Sequence, residues 1–65
     1  MNKEEFESKF IKSKQNWIEV YENIRIYGND YEIFDDVVMI FKENLLIADL
    51  KLSKVQSILN REVWL

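Results

Sequence analysis

Residues 34–52, FDDVVMIFKENLLIADLKL, decide the fold of this 65-residue chain. Two apolar runs, residues 37–41 and 45–48, flank a polar trio at residues 42–44. At a period of two residues the segment is a tight β-hairpin, because alternate side chains then share one face. The first run is rich in β-branched residues, which suit a buried strand. The segment therefore predicts a hairpin with a three-residue loop, in which Asn44 takes the left-handed conformation.

A single amphipathic helix is the rival interpretation of this segment. Apolar residues keep a 3,4 spacing from Tyr31 to Leu52, and the chain has no Pro and a single Gly. A helix over residues 31–52 would, however, be apolar on nearly all its sides, which is costly in a small domain. Strands are therefore preferred, and an all-α helical hairpin or three-helix bundle stays open as the alternative.

The N-terminal region predicts a helix over residues 2–15. Phe6 and Phe10 lie four residues apart, and Lys and Glu fill the other positions around them. That spacing places both rings on one side of a helix. Asn2 is a residue type that caps helix N-termini, so we expect it to cap this one.

The rest of the chain predicts a succession of short strands. Residues 17–59 alternate apolar runs with Asn, Gly and Asp, which is typical of a meander. Trp17 is expected to close the core, and residues 60–65 are expected to form a C-terminal tail. Residues 1–65 are thus predicted to be one domain, mainly β with an N-terminal α-helix, with about five short strands forming a small barrel or meander.

Composition excludes several classes of function. The chain has no Cys and no His, which removes disulfides, the usual zinc ligands and the common catalytic triads. It has no apolar run of about 18 residues, so we expect no membrane span. It has no apolar segment near its start, so we expect no signal peptide, and a cytoplasmic location is the default expectation. The net charge is −3, and residues 19–36 contain six Asp and Glu residues and one basic residue, Arg25. This acidic segment disfavours strong binding of nucleic acid, which requires Lys and Arg to neutralise phosphates.

Three segments together resemble the Sm-like protein family. The segment IRIYG at residues 24–28 is similar to the strand that ends in a bend-permitting Gly in the first Sm motif, and FDDVVMIFK at residues 34–42 is similar to the part that follows it. LKLSKVQSI at residues 50–58 resembles the second motif, and Hfq-type RNA chaperones of the family also begin with a helix. The resemblance spans residues 4–59 and implies a small SH3-like or Sm-like barrel that forms a ring oligomer.

The chain departs from this family where the family binds RNA. Members place an Asn after the FD pair to contact a base, whereas Val38 and Met39 occupy that region here. The Tyr-Lys-His of the Hfq-type second motif corresponds here to Leu50, Lys51 and Leu52. The resemblance therefore carries over Lys51 alone as an RNA contact.

These observations predict a non-enzymatic interaction module. No catalytic, cofactor-binding or metal-binding residues are predicted. We expect a homo-oligomer that binds another macromolecule, with a protein favoured over RNA, and one such role is a bacterial, phage or mobile-element regulator or inhibitor. The candidate partner-binding residues are Glu32, Asp35, Asp36 and Trp64, because they combine an acidic cluster with an apolar tail that could dock on a neighbour. The alternative is an Sm-like RNA-binding protein.

Overall fold

The computed structural model describes residues 1–60, apart from the side chain of Glu22. Within that range the chain forms α1 (Lys3–Lys9), β1 (Asn16–Val20), β2 (Ile24–Gly28), β3 (Asp30–Phe34), β4 (Val37–Lys42), β5 (Leu45–Lys51) and β6 (Val55–Asn60), with 3-10 turns at Tyr21–Asn23 and Leu52–Lys54. The strands form two antiparallel sheets. The first sheet has the order β2-β1-β6, and the second has the order β3-β4-β5. The predicted mainly β fold with an N-terminal helix is confirmed, and the helical bundle is excluded.

The strands differ in number and arrangement from the sequence-based expectation. The described residues contain six strands rather than about five, and the segments on either side of Asn29 form two separate strands, β2 and β3. The two sheets pack together without closing into a barrel. Gly28 lies at the junction where the chain passes from the first sheet to the second.

Glycine is required at this junction because the two sheets approach closely there. A Cβ atom on Gly28 would clash with Cγ2 of Ile40 and would lie 3.1 Å from the carbonyl oxygen of Phe41. The φ angle of Gly28 is not positive, so close packing rather than an unusual backbone conformation accounts for the residue. The next residue, Asn29, donates its N–H to the same Phe41 oxygen at 3.0 Å, which joins the bend to β4.

The segment that decided the fold is a hairpin of β4 and β5. Lys42 pairs with Leu45, so the turn contains two residues and not the predicted three. Glu43 and Asn44 have φ angles of 51° and 67°, and two positive φ angles are typical of the type I′ turn that joins twisted strands. The predicted left-handed conformation of Asn44 is confirmed.

The helix begins as expected and ends early. The side chain of Asn2 caps it by accepting the N–H of Glu5 at 2.7 Å. The last helical residue is Lys9, six residues before the predicted end at Gln15, and Phe10 is already extended. The sequence pattern could not show this end because the group that replaces the helical hydrogen bonds belongs to β1.

That group is the side-chain amide of Asn16, which is fully buried. Its oxygen accepts the N–H of Ile11 at 3.0 Å, and its nitrogen lies within hydrogen-bond distance of the carbonyl oxygens of Ile11, Lys14 and Gly28. Asn60 also donates to the Asn16 oxygen. One amide thus ties the loop after α1 to the sheet junction and to β6, and buried polar groups need such partners.

The core lies between the two sheets and beneath α1. Its buried members are Phe6, Phe10, Ile18, Val20, Val38, Ile40, Leu52, Val55 and Ile58. Phe6 and Phe10 stack with ring centroids 5.5 Å apart, and both meet the edge of Tyr31. The expectation for Trp17 is wrong: it lies half-buried outside the core, on the outer face of the first sheet, with its ring against that of Tyr27 at 4.3 Å.

Candidate functional site

The outer face of the second sheet is the first candidate surface. Val38 and Ile40 of β4 are buried in the core, so the alternating residues of β4 point the other way. Strand pairing extends the same alternation to β3 and β5. The residues of this face are Asp30, Glu32 and Phe34 from β3, Val37, Met39 and Phe41 from β4, and Leu46, Asp49 and Lys51 from β5.

Cross-strand pairing arranges this face in three rows. The central row places Glu32 and Asp49 on either side of Met39. Because neighbouring strands lie about 4.8 Å apart, the two carboxylate-bearing residues are separated by roughly 10 Å across the sheet. Within residues 1–60, no ion pair joins either residue to a cation. The middle of the face is therefore a thioether between two acidic groups that no cation of the described residues pairs with.

The other two rows are mainly apolar. Phe34 and Lys51 flank Val37 in one row, and Phe34 is 73% exposed. In the other row, Phe41 lies between Leu46 and Asp30. Val37 and Phe41 on the central strand are half-buried, so the exposed apolar residues of this face are Phe34 and Leu46 at its two ends.

The outer edge of β5 is a second candidate surface. β5 is the last strand of the second sheet, and only β4 pairs with it among the described strands. A bulge opposite the Ile40–Phe41 step leaves Ile47 without a paired residue. The bulge interrupts the alternation, so three consecutive apolar side chains, those of Leu45, Leu46 and Ile47, are 64%, 51% and 43% exposed.

The structure separates the residues predicted to bind a partner. Glu32 lies in the middle row of the outer face, whereas Asp35 and Asp36 form the exposed two-residue turn between β3 and β4. Asp35 has a φ angle of 61°, and the carbonyl oxygen of Asp36 accepts the N–H of Leu52 at 2.7 Å. This turn lies at the end of the outer face, and Trp64 lies outside the described residues.

The positions that the Sm-like resemblance linked to RNA have different surroundings. Val38 and Leu52 are buried in the core and present no surface to a base. Lys51 is exposed and is paired with Val37, at the end of the outer face beside the Asp35–Asp36 turn.

Sequence reasoning missed Phe34, Leu46 and Asp49 as members of one surface. Alternation alone could have placed Phe34 on the same side as Glu32. Asp49 and Leu46 could be placed only with the correct two-residue turn and the bulge at Ile47, because each changes which side of the sheet a residue faces. The missing signal was therefore register, which depends on turn length.

The outer face of the first sheet has a polar network of its own. The carboxylate of Glu19 accepts a hydrogen bond from the Ser57 hydroxyl at 2.7 Å and one from Nε of Arg25 at 3.2 Å. The hydrogen bond from Ser57, then that from Arg25, lowers the pKa of Glu19 below its ordinary value, against a smaller opposing effect of desolvation. The Arg25 guanidinium also lies 5.2 Å from the centre of the Trp17 ring.

The described residues 1–60 contain neither a metal-binding group nor a membrane-spanning helix. No group of three or more Asp, Glu, His or Cys side chains in that range could hold a metal ion. No helix there has the length and apolar character needed to cross a membrane.

Comparison of the chain with protein-family models, with curated proteins and with solved structures finds no match.

Proposed function

We propose that this protein is a non-enzymatic interaction module that self-associates and binds another protein. The observation that carries the proposal is the β5 edge, where Leu45, Leu46 and Ile47 are exposed beside backbone groups that no other strand of residues 1–60 pairs with. Sheet edges of this kind pair with other strands unless charges, prolines or covering elements protect them. The absence of His and Cys from the sequence supports a binding role rather than an enzymatic one.

The size of the chain also favours self-association. A domain of 65 residues buries only about 60% of the surface that its unfolded chain exposes, so a small core contributes limited stability. Association of exposed apolar edges adds burial that the monomer lacks. The apolar run of β5 is the part of the described surface best suited to this, because its side chains and its backbone can be covered together.

Light scattering after size-exclusion chromatography tests self-association. We expect the wild-type protein to form an oligomer at micromolar concentration. Leu46→Lys and Ile47→Lys each place a charge at the β5 edge and should shift the protein toward the monomer. Ile11→Lys is the matched control, because Ile11 is exposed to a similar extent but lies in the loop after α1.

A wild-type protein that remains a monomer at micromolar concentration would contradict self-association. Oligomers of equal mass in both β5 variants would show that the interface lies elsewhere. Circular dichroism of each variant establishes that a change in mass is not a consequence of unfolding.

RNA binding is the second candidate function, and the bend at Gly28 favours it. β2 and β3 follow each other with only Asn29 between them, as expected for the long bent strand of an Sm-like protein. Lys51 is exposed for a phosphate or base contact. Filter binding with A-rich and U-rich oligonucleotides at two salt concentrations tests this candidate: salt-sensitive binding that Lys51→Ala weakens supports it, and no binding removes it.

A further inference from the structure

The outer face of the second sheet has the chemical character of a docking site. Val37, Met39 and Phe41 run along its central strand as a half-buried apolar stripe, and the exposed Phe34 enlarges the stripe at one end. Methionine adapts to varied apolar partners, and methionine and aromatic side chains are enriched at binding surfaces. The stripe therefore fits a ligand that presents a row of apolar side chains.

The charges around the stripe have one sign at its centre. Glu32 and Asp49 flank Met39 and have no cationic partner within residues 1–60, whereas Asp30 is already paired with Lys12 at 3.4 Å. Lys51 is the basic residue of the outer face, and it lies in the row of Phe34 and Val37 at one end. The two acidic groups lie about 10 Å apart with an apolar group between them. A complementary ligand would carry an apolar group with a cation on either side of it.

We infer that this face binds a basic amphipathic helix of another protein. An α-helix with its side chains is about 10–12 Å wide, so Lys or Arg residues on its two flanks can reach Glu32 and Asp49 while its apolar side rests on Met39. The inference names the partner chemistry of the proposed protein-binding module. It uses the centre of the outer face around Met39, whereas self-association uses the edge of β5, and the two surfaces share Leu46.

A second copy of the described chain does not provide such a helix. Its N-terminal region is basic, with Lys9, Lys12 and Lys14, but Phe6, the one apolar side chain of α1, and the adjacent Phe10 are buried in its own core. Undocking α1 would expose these rings to water. A helix from a different protein, with a free apolar side, satisfies the face without that cost.

Binding of a designed helical peptide tests the inference. The probe is a fluorescent peptide of about 18 residues, or five helical turns, with Leu on one side and Lys on both flanks. Two matched peptides have Glu in place of Lys, or the same composition in scrambled order. We expect anisotropy titrations to show binding of the amphipathic Lys peptide alone, weakening as salt rises.

Variants locate the site on the protein. E32Q combined with D49N should weaken peptide binding about tenfold, the combined effect of two solvent-screened ion pairs. The control combines E4Q with E7Q, which removes the same charge from the exposed surface of α1. Equal loss of affinity in both double variants would overturn the inference, because it would show attraction to net charge rather than to this face.

Further outcomes separate this inference from the proposed function. Equal binding of the scrambled or the Glu peptide would overturn the inference, as would binding of labelled oligo(U) in competition with the Lys peptide. Light scattering of the same samples reports self-association independently. Peptide binding by a monomer would support helix binding at the outer face and contradict self-association through the β5 edge. An oligomer that does not bind the peptide would support self-association and contradict helix binding at the outer face.

Discussion

Replacing Gly28 by Ala tests whether the close approach of the two sheets is a structural requirement. The new methyl group would clash with Cγ2 of Ile40 and would lie 3.1 Å from the Phe41 carbonyl oxygen. Insertion of a methyl group into a well-packed core costs about 1–3 kcal/mol. Ala also restricts the unfolded chain, which offsets about 0.4–1 kcal/mol. We therefore expect Gly28→Ala to lower the free energy of unfolding by about 1–2 kcal/mol.

The cause can be isolated with a second substitution at Ile40. Ile40→Leu removes the β-branch and with it the Cγ2 atom, while it keeps the side-chain volume, and such exchanges cost less than about 1.5 kcal/mol. In the Ile40→Leu background, Gly28→Ala should cost about 1 kcal/mol less than in the wild type, because contacting residues couple by about 0.5–3 kcal/mol.

Urea denaturation followed by circular dichroism measures all four proteins of this cycle. With a urea m-value near 1 kcal/mol/M, the expected loss moves the midpoint of Gly28→Ala by about 1–2 M. The protein concentration must be the same throughout, since self-association adds concentration-dependent stability. A neutral Gly28→Ala, or an equal cost in both backgrounds, would refute the argument that contact with Ile40 excludes a side chain at residue 28.

Three further predictions address the turn, the buried amide and the pH dependence of stability. Asn44→Val places a β-branched residue at a positive φ angle and should lower the free energy of unfolding by about 1–2 kcal/mol in urea denaturation; an unchanged midpoint would contradict the type I′ turn. Asn16→Leu deprives several backbone groups of their partner and should cost about 3 kcal/mol or more, and a thermal melt within a few degrees of the wild type would contradict that role. The lowered pKa of Glu19 contributes stability that is complete above the ordinary pKa of 4.5 and is lost as pH falls through the folded-state pKa. Glu19→Gln should therefore flatten the acid limb of a curve of unfolding free energy against pH. An unchanged acid limb would count against the network with Ser57 and Arg25.

The sequence was sufficient to predict the features that depend on local pattern. Alternating apolar runs predicted the β4–β5 hairpin, and the backbone tolerance of Asn44 predicted its left-handed conformation. Asn2 was predictable as a cap because the capping side chain and its N–H partner are three residues apart. Each of these features depends on residues that are neighbours in the chain or across one turn.

Features that depend on tertiary contacts were not predictable. The end of α1 at Lys9 depends on the amide of Asn16, which lies on β1 and is also bonded to Gly28. The Sm-like comparison attributed Gly28 to a bend, whereas its packing against Ile40 appears only when both sheets are assembled. The composition of the outer face depended on turn length and on the bulge at Ile47, and neither leaves a distinct pattern in the sequence.

The most direct test of self-association through β5 is amide hydrogen exchange of the wild-type protein at several concentrations. In an antiparallel strand, the N–H groups that do not bond to β4 face the open edge. We predict that these alternate amides of β5 exchange more slowly as concentration rises, while amides of the exposed loop around Lys12 keep their rates. Exchange of the outward β5 amides at one rate across all concentrations would contradict the proposed interface.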